Sequence, residues 1–174
     1  MNKIIPQILG LLAVLAFLLS YQQKNRNSII IWNVISRVLY ILQYFLLGAF
    51  SGAILDILGA FSSVLAERKH TAFIKKHTVA IMILINSIIV IVGVCIAFTN
   101  QNVINLFPMV GVLLHTSAFW ISNEKTIRCV SLLGSPFWFI YNFIFKAYGS
   151  AIGDVLTMVS IIIAMIRFCK ATSR

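Results

Sequence analysis

The chain has little acid and little charge of either sign: four Asp and Glu residues against 14 Lys and Arg in 174 positions, with charged residues only 10% of the whole. A soluble domain needs a charged surface, so this scarcity excludes water as the main solvent. Long polar stretches are also lacking, which leaves little chain for anything outside a bilayer. The three cysteines, Cys95, Cys129 and Cys169, are odd in number, far apart and without CxxC or histidine-rich company. Neither a disulfide framework nor a metal site is indicated, and ordinary membrane-embedded thiols are expected. No nucleophile with a base, no phosphate-binding glycine loop and no metal-spaced set of His and carboxylates occurs. An enzyme is therefore not expected, and no cofactor is implied.

What the chain does have is apolar sequence: 60% hydrophobic residues and a mean hydropathy of +0.99. Apolar runs of roughly 17 to 22 residues recur from end to end, each long enough to cross about 30 Å of hydrocarbon. The punctuation between them predicts helices near 5–22, 28–47, 51–67, 77–98, 104–121, 127–146 and 149–168. Strands of a membrane barrel would alternate polar and apolar residues, whereas these runs are continuously apolar. The first run follows Lys3 and resembles a signal peptide, but the bulky Ser20-Tyr21-Gln22-Gln23-Lys24 offers no small-x-small cleavage pattern, so a retained helix is expected.

The formal charge of +10 does not point to nucleic acid, because the basic residues stand in short clusters between apolar runs rather than along one face. If the N-terminus is outside, the inner segments hold Lys24, Arg26, Arg68, Lys69, Lys75, Lys76, Lys125, Arg128, Arg167, Lys170 and Arg174, and the outer segments only Lys3 and Lys146. An odd number of spans, N-out and C-in, follows from the rule that cytoplasmic loops are the basic ones. Arg37 alone remains deep within a span.

An internal repeat is legible. Ala49-Phe50-Ser51-Gly52-Ala53-Ile54-Leu55-Asp56-Ile57-Leu58 aligns without a gap on Ala147-Tyr148-Gly149-Ser150-Ala151-Ile152-Gly153-Asp154-Val155-Leu156, and the register runs back to set Tyr40 against Trp138. Chance matches between apolar helices are common, but charge within a span is costly, so the paired aspartates carry the comparison. The expected fold is an all-α integral membrane protein of seven transmembrane helices in a 3+1+3 arrangement. Residues 1–70 and 103–174 form two parallel three-helix bundles, and 71–102 form a peripheral linker helix.

That plan resembles the superfamily of SWEET, half-SWEET and PQ-loop small-solute transporters. More closely, the whole chain resembles the bacterial inner-membrane family called YgjV. The residues that carry this are Asn105-Leu106-Phe107-Pro108-Met109-Val110-Gly111, Thr126-Ile127-Arg128-Cys129-Val130, Tyr141-Asn142-Phe143, Ile166-Arg167-Phe168 and Leu46-Leu47-Gly48-Ala49. The resemblance implies a multi-pass protein of the bacterial inner membrane. It also implies a substrate site at the third helix of each unit, where SWEET-like transporters carry an asparagine. No Pro-Gln pair ends the first helix of either unit, and Pro6, Pro108 and Pro136 are too few for a proline in each of four core helices.

Asp56 and Asp154 sit roughly 7 Å along their helices from the outer end, at 1.5 Å per residue, where an acid must face the bundle interior or water. The plain alternative is a carboxyl that caps backbone or pairs with a base. Arg37 is unduplicated, opposite Ser135, and Asp56 is its natural partner; a structural ion pair competes with anion binding. His115 lies near mid-span beside Thr116 and Ser117, and a histidine there either shuttles a proton with Asp154 or is a neutral, packed residue. Tyr40, Trp138 and Asn142, with Asn33, Ser36, Gln43, Ser131 and Ser135, give the second helices aromatic walls and amides, suited equally to a small polar solute and to helix packing. The expected function is a small-solute transporter or facilitator in the lipid bilayer, with Asp56, Asp154, Arg37, Tyr40, Trp138, Asn142 and His115 as its site. The rival is a non-transporting scaffold, sensor or complex subunit. Homo-oligomers are open to such a chain, though nothing in it specifies them.

Overall fold

The computed structural model describes residues 4–22, 26–68, 71–120 and 124–172. The side chains of 20–30, Asn33, Lys69, Lys125, Arg128 and everything from Arg167 onward lie outside the described residues, as does Lys3; these include most of the basic residues that suggest the orientation.

Among the described residues the chain is all helical, with seven α-helices and no strand: α1 Ile4–Gln22, α2 Arg26–Leu47, α3 Phe50–Glu67, α4 Ala72–Thr99, α5 Leu106–Trp120, α6 Glu124–Ile144 and α7 Tyr148–Thr172. A short 3₁₀ turn, Val103–Asn105, leads into α5, and the Asn102 side chain caps it by accepting from the Ile104 N–H at 2.9 Å. The helices follow the expected spans to within a few residues. The largest difference is the start of α4, at Ala72 rather than 77. The backbone departs from helical geometry at His77 (φ −116°, ψ 19°), so the basic stretch is a first, kinked turn of the same helix.

α4 is long and apolar enough to cross a membrane, with mean hydropathy 3.0 over its best window, of which only 17% is buried. Ile4–Leu19, Val34–Leu47, Phe50–Ala66, Val103–Ala118, Cys129–Ile144 and Tyr148–Ile163 are shorter apolar helical stretches.

Burial runs opposite to that of a water-soluble bundle. Ser36, Gln43, Ser51, Ser62, Thr116, Ser135, Asn142 and Ser150 are buried, while Leu11, Leu15, Ile31, Phe61, Ile91 and Ile163 are exposed. Lipid gains nothing by expelling leucine, so helices in it associate through close packing and polar contacts, and small and hydroxylated residues collect inside. Ala13, Ala49, Ala53, Ala118 and Ala147 are fully buried.

α1 packs on α2, α2 on α3, α5 on α6 and α6 on α7; α1 also packs on α7, and α3 on α5. α4 rests on α3 and α5. The α1–α7 contact is close because Gly149 faces backbone: a Cβ there would stand 2.9 Å from the Gln7 carbonyl, the Gly10 Cα and the Leu11 nitrogen.

The turns that end α2 and α6 have one geometry. Gly48 (φ +71°) and Lys146 (φ +58°) both occupy the left-handed region. Ala49 N–H bonds back to the Tyr44 carbonyl at 2.9 Å, and Ala147 N–H to that of Asn142 at 2.8 Å. Each turn so satisfies a carbonyl that the ending helix leaves orphaned, and each sets the following helix, with its aspartate, against the one before it.

Candidate functional site

Two turns into α3 and α7, Asp56 and Asp154 reach back to the preceding helix of their own half, with different partners. Arg37 Nη1 of α2 donates to Asp56 Oδ1 at 2.7 Å. Its Nη2 reaches Ser63 Oγ at 3.3 Å, and that hydroxyl donates to the Gly59 carbonyl at 2.8 Å. The pair is largely withdrawn from solvent, with side-chain exposures of 19% for Arg37 and 10% for Asp56. Asp154 instead accepts from the amide Nδ2 of Asn142 on α6 at 2.7 Å.

Tyr40 reaches α7, where a Cβ on Gly153 would come within 3.0 Å of its hydroxyl. Tyr44 of α2 stacks on Trp138 of α6, ring centroids 6.0 Å apart and planes 16° from parallel, and meets Tyr141 edge-on at 6.2 Å. Offset and edge-on arrangements suit aromatic quadrupoles and hold the α2 and α6 faces in register.

One end of this seam is tied by side chains reaching across it. The Tyr141 hydroxyl accepts from the Gly52 N–H at 2.9 Å and stands 2.8 Å from Ser51 Oγ and 3.2 Å from the Ala49 carbonyl. Ser51 Oγ donates to Asn105 Oδ1 at 2.7 Å. On the opposite side Ser150 Oγ donates to Gln43 Oε1. Gln7 completes the tie, its Nε2 donating to the Lys146 carbonyl at 2.6 Å and its Oε1 accepting from the Gly149 N–H at 3.1 Å.

The residues singled out from sequence are therefore partly gathered. Arg37, Asp56, Asp154, Asn142, Tyr40 and Trp138 share the α2, α3, α6 and α7 faces. His115 lies on α5, its Nδ1 3.0 Å from the Gly111 carbonyl and its ring over Gly134 of α6, with no described contact to Asp154. Asn86 of α4 donates to Ser117 Oγ at 3.2 Å, fastening α4 to α5. A shallow groove of ≈ 460 Å³ runs along α4 past Ile83, Asn86, Ser87, Val90 and Ile91 and touches none of the aspartate cluster.

Tyr141, Ser51, Asn105 and Ser150 were not expected in a functional role. Tyr141 falls opposite Gln43 in the register that pairs the aspartates, and that was the signal for it: both side chains reach from a second helix to the start of the other half's third. Among the described residues no group of three or more His, Cys, Asp or Glu side chains is placed to hold a metal.

The family described as Imp-YgjV, bacterial inner membrane protein, matches residues 4–172, nearly the whole chain, and the chain belongs to it. No curated protein and no solved structure matches it.

Proposed function

We propose that this inner-membrane protein is a multi-pass transporter or facilitator of a small polar solute, working by alternating access between two parallel three-helix units. The units are α1 to α3 and α5 to α7, within residues 1–70 and 103–174, joined by α4 within 71–102, with the N-terminus out and the C-terminus in. The observation that carries the reading is a pair of carboxyls, Asp56 and Asp154, at matched places of α3 and α7 in an apolar bundle, each held by a side chain of the helix before it. Intramembrane acids are expensive and mark solute or ion pathways.

The packing supports the two units. Exchanging α1 with α5, α2 with α6 and α3 with α7 turns the α1–α7 contact into α5–α3, α1–α2 into α5–α6 and α2–α3 into α6–α7; only α4, which rests on α3 and α5, has no counterpart. Two halves that meet through equivalent faces can rock about them. The matched left-handed turns at Gly48 and Lys146 agree with this, as does the resemblance to SWEET-like proteins in plan. In the proposed orientation, the tie through Tyr141, Ser51, Asn105, Gln43 and Ser150 closes the outer end. Asp56 and Asp154 stand just below it, with Tyr40, Trp138 and Asn142 beside them. His115 contributes by bracing α5 on α6.

The rival reading, a non-transporting scaffold, sensor or complex subunit, draws support from the backbone contact of Gly149 on α1, which is dense packing of a static kind. Reconstitution into liposomes separates the two. A transporter moves at least one solute of a broad panel, and Asp154→Asn lowers that flux. Absence of flux for the whole panel, with cells unaffected by Asp154→Asn, ends the proposal.

A further inference from the structure

The interior of the seam holds two acids and, among the described residues, a base for only one of them. Arg37 offsets Asp56 through the 2.7 Å ion pair. Asp154 receives only the neutral amide of Asn142, and no described cation contacts it. Among the described seam residues Asp154 is therefore the acid without a base, and its ionised form is costly in such a bundle until a cation meets it.

The Asn142 amide adds a second requirement. Its nitrogen is committed to Asp154 Oδ2, which turns the carbonyl oxygen away from the carboxylate. Asn142 is 1% exposed, and its Oδ1 has no hydrogen-bond partner. A buried acceptor without a donor is destabilising and calls for one. An acid without a base and an amide oxygen without a donor thus stand side by side, while Asp154 itself is only half-buried.

An anion is repelled, and a neutral polyol leaves the charge unanswered. A divalent metal lacks both the third ligand and the second charge. What fits is one positive charge that donates hydrogen bonds. We infer that Asp154 and Asn142 bind the ammonium group of a small monocationic solute, with N–H donors going to the carboxylate and to Asn142 Oδ1. This names the substrate class of the transporter proposed above and rests on that reading only for movement across the membrane, not for binding.

The test is equilibrium binding to the full chain in lipid nanodiscs at fixed ionic strength. The probes are a primary amine with one ammonium group, its neutral hydroxyl isostere, tetramethylammonium and sodium chloride. The expected result is saturable binding of the primary amine, tighter by about tenfold or more than the neutral isostere, equivalent to about 1.4 kcal/mol. Tetramethylammonium, which has no N–H, and sodium should fail to displace it at equal concentration. Asp154→Asn should remove the preference for the amine, and Asn142→Leu should weaken it. If Asp154→Asn does not fold, the discrimination among probes by the unaltered chain decides alone. The inference is overturned if the amine binds no better than its isostere, as when a proton already neutralises Asp154, or if folded Asp154→Asn binds like the unaltered chain. Amine binding without liposome flux removes the transporter and keeps this inference. Flux of a neutral solute without amine binding does the reverse.

Discussion

The α2–α3 and α6–α7 helix pairs turn alike and differ in charge chemistry. At a shift of 98 residues, the separation of Asp56 from Asp154, the left-handed turns coincide, as do the fully buried alanines Ala49 and Ala147 that follow them. The side chains that hold the acids do not coincide. Asp56 is met by Arg37, whose counterpart is Ser135; Asp154 is met by Asn142, whose counterpart is Tyr44. Helix geometry depends on small residues at contact points and tolerates exchange of most others, whereas an acid's state depends on the one or two groups that touch it. The first half therefore holds an ion pair, and the second an acid bonded to a neutral amide.

The largest expected effect breaks that contrast at its stronger side. Arg37→Leu leaves Asp56 buried without its counter-charge and should cost about 3–5 kcal/mol in unfolding measured in detergent, with much of the loss recovered in Arg37→Leu/Asp56→Leu. The same cycle in the second half should be gentler. Asn142→Leu removes one hydrogen bond to a charged acceptor and should cost about 1.5–3 kcal/mol. Equal losses in the two halves would erase the asymmetry.

Gly149→Ala forces a methyl against α1 backbone and should cost about 1–3 kcal/mol, since overpacked atoms of the main chain cannot turn aside. Gly52→Ala meets only the Tyr141 ring and should cost less by the same assay. Tyr141→Phe deprives the Gly52 N–H and Ser51 of their shared hydroxyl, an expected loss of about 1–2 kcal/mol. The smallest effect concerns the turns: Gly48→Ala should cost about 1 kcal/mol because a side chain enters a left-handed position, while Lys146→Gly should change stability by less than about 0.5 kcal/mol, relief of strain offsetting a more flexible unfolded chain.

The helices were legible because continuous apolar runs leave the backbone no other way to satisfy itself in lipid. The most displaced boundary, the start of α4 at Ala72 rather than 77, arose because the polar letters of Lys75-Lys76-His77 read as loop, although exposed lysines are good helix formers. Pairing of Arg37 with Asp56 could be expected from their place in one half, since each is costly alone. The bond of Asn142 to Asp154 could not, because an asparagine's choice among several polar neighbours is made by helix rotation and distance rather than by residue type. His115 shows the same limit from the other side: its depth left proton exchange with Asp154 and neutral packing both open, and only the fold sets its ring by Gly134 and its Nδ1 3.0 Å from the Gly111 carbonyl.

Residue order alone determined that seven apolar helices form and that two acids recur at equal places within them, because hydropathy and spacing are properties of the strand of letters. Which acid meets an arginine and which an amide, and which amide oxygen is left without a donor, was decided only when α2, α3, α6 and α7 came together. Contacts between helices depend on angles and separations of a few ångströms, and no single helix contains them.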